Sequence, residues 1–131
     1  MRYLITIYGD ESRYADTTPE QASEMMAAYG AVGEAMRQSG VILGGEGLQP
    51  SSTATTVKVR DGETITTDGP FAETREQLAG YYLLDCKDLD EAIGWAARIP
   101  GAASGSCEVR PVMDYEAQGN AEAHTQTEGV A

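Results

Sequence analysis

The chain has 131 residues and a mass of 13.9 kDa, room for one ordinary domain that buries roughly two-thirds of its extended surface in a single core, and too little for a second. Nine Lys and Arg against 21 Asp and Glu give a formal net charge of −12, a field that repels phosphate backbones and anionic headgroups, so neither nucleic acid nor a membrane is an expected partner. Apolar residues make up 41% of the chain, which argues for a folded body over a disordered one.

The first segment, Tyr3 to Tyr8, is a β-prone run that stops at the turn formers Gly9-Asp10. It reads as a strand. It is too short for a signal-peptide core and has no small-residue cleavage site after it, and no run anywhere approaches the ~18–20 apolar residues of a membrane span. A cytoplasmic protein is expected. Thr18 precedes Pro19, with Gln21 three positions on, a capping box with proline at the first helical position. Ala22, Met25, Met26, Tyr29, Val32 and Met36 then recur at spacings of three and four, a predicted buried stripe on a helix that Gly40 ends. Gly30 and Gly33 inside that helix are expected to allow close packing against a sheet.

Val41-Ile42-Leu43 predicts a second strand running into Gly44-Gly45-Glu46-Gly47, which matches no phosphate-binding loop and reads as a bulge. Thr55 to Arg60 and Thr64 to Thr67 flank Asp61-Gly62-Glu63, a strong hairpin signal. Asp68-Gly69-Pro70 turns the chain before Phe71, the single Phe. Gly80 to Cys86 predicts another strand, and Asp88 with Glu91 caps a helix whose stripe is Leu89, Ala92, Ile93 and Ala96 and whose end is Pro100-Gly101. Ser106 to Met113 is the last predicted strand. The tail from 116 to 131 has nothing to bury and is expected to be disordered. Cys86 and Cys107 lie in strand-like segments without metal or redox spacing and are expected as reduced core thiols.

The order β-α-β, hairpin, β-α-β predicts an α+β fold of the ferredoxin-like kind, two split βαβ halves with both helices on one face of an antiparallel sheet. The strands are apolar on both faces: Tyr3, Ile5 and Ile7 alternate with Leu4, Thr6 and Tyr8, and Tyr81 and Leu83 alternate with Tyr82, Leu84 and Cys86. A second copy is therefore expected on the face the helices leave bare, giving a homodimer whose paired sheets form a dimeric α/β barrel. That face also carries Glu108 and Arg110. They either neutralise each other or leave Arg110 to anchor an anionic ligand.

General acid–base chemistry has few carriers here. The lone histidine, His124, lies in the tail, so no imidazole is available for a metal site or a nucleophilic triad. Neither a metal nor another cofactor is expected. Among carboxylates, Glu46 sits in the glycine bend, Asp10 ends the first strand, Asp68 stands at the tight turn and Glu73 follows it. Asp68 before glycine suits an Asx-turn; placed in an apolar cleft beside Phe71 and Tyr82 it would instead become a usable base. Glu73 beside Arg75 reads as a solvated pair or as part of an anion contact.

Three segments carry a resemblance: Gly44 to Pro50, Asp68-Gly69-Pro70-Phe71 with its continuation to Leu83, and Glu108 to Val112. Together, over residues 1–115, the chain resembles the YCII-related proteins, in the branch named for its Asp-Gly-Pro-Phe motif. The resemblance implies a ferredoxin-like fold that dimerises into an α/β barrel, and for many members gene neighbourhoods with extracytoplasmic-function sigma factors. Smaller relatives carry a proposed His–Asp pair; this chain lacks that His, so the pair does not transfer. Asp68 and Phe71, with Glu46 and Arg110, fall on matching motif positions. Together these readings predict a homodimer with one small-molecule pocket per subunit. Catalysis there would be cofactor-free proton transfer or elimination, with Asp68 or Glu46 as base. Arg110, Tyr82, Phe71 and Glu73 would serve as binding residues. The alternative is a non-enzymatic accessory that contacts a sigma factor, and a third reading is a purely structural dimer.

Overall fold

A computed structural model describes residues 1–118. In chain order the elements are β1 (Arg2–Gly9), α1 (Pro19–Gln38), β2 (Ile42–Gly47), β3 (Thr55–Arg60), β4 (Glu63–Asp68), β5 (Gln77–Asp85), α2 (Leu89–Arg98), α3 (Pro100–Ser104), β6 (Ser106–Pro111) and α4 (Tyr115–Gln118). Of the tail expected to be disordered, 116–118 close α4; the rest, with His124, lies outside the described residues. Four strands form one antiparallel sheet in the order β2-β5-β1-β6, so β5 slots between β1 and β2. This is the ferredoxin-like arrangement, with the β3–β4 hairpin spliced in after β2 as a separate two-stranded ladder.

α1 starts as its sequence dictates. The Thr18 hydroxyl accepts from the Gln21 amide at 3.1 Å, and the Gln21 side chain accepts from the Thr18 amide at 3.0 Å. The predicted stripe is only half used, however. Val32 and Met36 are buried, whereas Ala22 is exposed and Met25 and Met26 are 43% and 76% exposed. The first half of the stripe runs past the packed core and borders a groove with α3 and the turn before α1. Gly30 does not pack on the sheet: it is exposed, and a Cβ there would meet nothing within 4 Å, whereas Gly33 is buried, with Arg37 Nη1 3.6 Å from where its Cβ would be.

α2 is capped by Asp88, whose carboxylate accepts from the Glu91 amide at 2.9 Å. Its buried residues are Ala92 and Ala96; Leu89 and Ile93, predicted inside, are 46% and 48% exposed. The two alanines let the helix lie close on the sheet, which leaves no depth for its larger flanking side chains, and Ile99, 1% exposed, fills the core instead. α2 ends at Arg98, just before Pro100-Gly101 as expected, and the pair also opens a further short helix, α3. Glycine is required there, since a Cβ at Gly101 would stand 2.7 Å from Ile7 Cγ2 and from the Tyr29 hydroxyl.

The core lies between the helices and one sheet face, where Tyr3, Ile5, Ile7 and Leu84 meet Val32, Met36, Ala92 and Ala96. Cys86 is buried here and Cys107 half-buried, both free thiols as expected. β2 continues through the glycine run, with the ladder slipping between Ile42 and Gly44, the expected bulge. β5 begins earlier than predicted, at Gln77, and β6 ends earlier, at Pro111. The hairpin turn has two residues, Asp61 at φ 53° and Gly62 at φ 77°, so Glu63 belongs to β4. Its apolar residues remain open to solvent, with Val57 and Val59 about 60% exposed.

On the opposite sheet face, the registers align Leu4 with Leu83 and Arg110, and Thr6 with Tyr81 and Glu108. No helix of the described residues covers this side, and Leu4, Thr6, Tyr81 and Leu83 are only half-buried. None of the described helices is long and apolar enough to cross a membrane.

Candidate functional site

Three glycines strip side chains from the helix-facing side of one end of the sheet. Gly45 pairs with Tyr82 and Gly47 with Gly80, and Gly80 pairs in turn with the inward-facing Ile7. Cross-strand partners share a face, so all three lie on the inner face, but Tyr82 crowds Gly45 and the Glu46 carbonyl crowds Gly80, and the open space is at Gly47, where a Cβ would meet nothing within 4 Å. The result is a cavity of about 550 Å³ between this corner of the sheet, α1 and α3. That is the size range of small-molecule sites.

Five of the seven tyrosines border the cavity: Tyr8, Tyr14, Tyr29, Tyr81 and Tyr82. The Tyr29 hydroxyl accepts from the Gly101 amide at 3.1 Å, which leaves its proton free to donate. No described residue accepts from the Tyr82 hydroxyl. Burial pushes both phenols above their ordinary pKa, so at neutral pH each is a protonated hydrogen-bond donor. Tyr14 is carried by the 3-10 turn Glu11–Asp16, which is tied down from outside. Glu11 accepts from the Ser51 amide at 2.8 Å and the Ser51 hydroxyl at 2.7 Å, and its own amide donates to the Gln77 side chain at 2.9 Å.

Of the residues predicted for the site, Tyr82 and Glu46 border this cavity, and the other four do not. Glu46 is the one charged residue of the wall, yet it pairs with Tyr81 and so stands on the open face, opposite to Tyr82. Asp68 is exposed at the end of the hairpin arm, paired with Thr55; the chain turns after it at Gly69, φ 96°, whose amide donates to the Ala54 carbonyl at 2.7 Å. Phe71 is 85% exposed and Glu73 is exposed too, so within one chain no apolar cleft joins Asp68, Phe71 and Tyr82. Arg110 lies on β6, three strand spacings or about 14 Å across the sheet from β2. There its Nη2 is 2.6 Å from Glu108 Oε1, the neutralising pair foreseen for these two residues. Among the described residues no three His, Cys, Asp or Glu side chains converge as a metal site.

Sequence reasoning missed Tyr14, Tyr29, Met25 and the role of Gly47. The alternation of glycine at 45 and 47 was the available signal, because alternate strand positions share a face. The Tyr29 contribution depends on α3, a helix that the Pro-Gly pair concealed.

The family model of the YCII-related domain matches residues 1–116. An uncharacterised protein of Rhizobium meliloti (strain 1021) is 40% identical over 118 residues, covering 88% of this chain and 95% of the relative.

Proposed function

We propose, for a chain that belongs to the YCII-related family, a homodimer that binds a small organic molecule in the tyrosine-bordered cavity. One observation carries this reading: beside Gly47 lies a space of about 550 Å³ faced by two phenols, Tyr29 and Tyr82, that have protons to donate. A side chain at Gly47 would shrink it, and nothing stands within 4 Å of a Cβ there. The space is thus compatible with a larger residue, and glycine here is not demanded by backbone packing.

The groups at this wall suit holding a ligand better than moving its protons. Phenols whose pKa is raised are poor bases at neutral pH, and the Glu46 carboxylate stands on the other face of the sheet. The second copy is supported by the half-buried Leu4, Tyr81 and Leu83 on the uncovered face. Pairing that face would bury on the order of 1,600 Å², the area of a standard stable interface.

A thermal-shift screen of small organic molecules tests the binding reading, since a ligand at about 100 times its Kd adds roughly 2.7 kcal/mol to stability. Ligands should stabilise the native protein and fail to stabilise Gly47→Leu, whose side chain occupies the cavity. A broad panel without any such ligand would remove the proposal.

A further inference from the structure

The tyrosine cavity is not isolated. A larger groove of about 1000 Å³ runs between the 3-10 turn, the overshooting half of α1 and α3, and Gly9, Tyr14, Met25 and Ser104 border both spaces. The two therefore meet at a neck made by Tyr14 and Met25. Gly9 makes room for Tyr14 there, whose hydroxyl lies only 2.8 Å from where a Cβ at Gly9 would be. Met25 supplies a flexible thioether, 43% exposed, that adapts to an aromatic surface.

The chambers differ in chemistry. The inner one has apolar walls, Ile7, Leu48 and Ala79 among them, donors on Tyr29 and Tyr82, and no cationic residue. The outer one is bordered by Asp10, Arg13, Thr17, Gln21 and Glu24, groups of both signs and several hydrogen-bonding types. An anion entering the inner chamber would find no cation on its walls; the Arg37 guanidinium, which acts on Tyr82, is already paired with Glu34 at 3.0 Å, and the anion would first cross the field of a chain at net −12.

Resting on the binding reading above, we propose that the cavity and the groove form one continuous site for an amphiphilic aromatic molecule. Its uncharged ring system lies in the inner chamber with an acceptor oxygen toward Tyr82 and Tyr29, and its polar, hydroxylated arm passes the Tyr14–Met25 neck into the groove. The overshoot of α1 thereby has a use, since the residues it carries past the packed core build the outer chamber.

Three naphthalene probes test the site by fluorescence titration: 2-naphthol, 2-naphthyl glucoside and naphthalene-2-sulfonate. The expected order is glucoside tightest, then naphthol, then sulfonate. Tyr82→Phe should weaken naphthol about 2- to 10-fold, the loss of one hydrogen bond. An Arg13→Ala, Glu24→Ala double variant should cancel the advantage of the glucoside and leave naphthol unchanged. Gly47→Leu should abolish all binding, with Leu48→Trp as a second blocking variant should Gly47→Leu fold poorly. Glucoside binding no tighter than naphthol overturns the continuous site, and sulfonate binding tightest overturns the uncharged ring; in both cases the cavity itself survives if Gly47→Leu still blocks. Binding of the probes that neither blocking variant alters, or no binding at all, overturns the inference together with the reading it rests on.

Discussion

Gly45 lies opposite Tyr82 on the β2–β5 ladder, and the ring of Tyr82 occupies the place a side chain at 45 would take. A Cβ there would stand 2.9 Å from Tyr82 Cδ1 and 2.8 Å from the Tyr81 carbonyl oxygen. The ring can turn away, but the carbonyl belongs to the neighbouring strand and cannot. Gly45→Ala should therefore destabilise the protein by about 1–3 kcal/mol, in the range of overpacked sites. Urea unfolding measures it, with Gly94→Ala on α2 as the control. A Cβ at Gly94 meets nothing within 4 Å and that position is exposed, so the variant should unfold no earlier than the native chain. Equal midpoints for the two variants would show that Tyr82 and β5 are not held as described.

The open sheet face has a prediction of its own. Leu83 aligns with Leu4 on one side and Gly44 on the other, at the middle of the uncovered surface. Leu83→Arg should leave the fold intact, because that side chain does not enter the core between sheet and helices, yet it would set an unpaired charge in an apolar interface. Sedimentation velocity at micromolar concentration should give a dimer for the native chain and a monomer for the variant. A native chain that sediments as a monomer would end the dimer proposal.

The fold was legible because its signals are local. The capping residues Thr18 and Asp88, the Asp61-Gly62 turn and the alternation in β1 each act over a few residues, and each appears where those residues place it. What sequence could not decide is which part of an amphipathic stripe meets the sheet. Met25 and Met36 are indistinguishable by spacing, yet one borders a groove and the other is fully buried. That outcome depends on where α1 lies across the core, a tertiary quantity. The candidate site was less legible still. Of six predicted residues, Tyr82 and Glu46 reach the cavity, because carboxylates and a turn motif draw attention while the wall is built from absent side chains and phenols.

The mistaken expectation for Gly30 supplies a stability test. This glycine is exposed within α1, and a Cβ there touches nothing within 4 Å. Gly30→Ala should thus stabilise the protein by about 0.5–1 kcal/mol through helix propensity alone. For a domain of this size that raises Tm by a few degrees, on the order of 2–6 °C, in a differential scanning experiment. A loss of stability would mean that α1 packs against something at this position, as the sequence first suggested.

Stability should also fall in alkaline solution, through the buried thiol. Cys86 is 2% exposed, and burial, helped by the Glu91 carboxylate, pushes its pKa from 9.0 up to about 11. The unfolded chain releases this proton near pH 9 and the folded one near pH 11, so between those values the unfolded state binds fewer protons and the unfolding free energy declines as pH rises. Below pH 9 the group contributes no slope, and above pH 11 the decline ends. Two units correspond to about 2–3 kcal/mol as an upper figure. Cys107, Tyr29 and Tyr82, all raised first of all by burial, act in the same direction. Urea unfolding at pH 8, 9 and 10 should show the midpoint falling across this series, and Cys86→Ala should flatten the fall while lowering stability at pH 8 through the space it leaves. A native midpoint unchanged from pH 8 to 10 would mean that the thiol is hydrated in the folded protein and that the core beneath α2 is looser than its burial implies.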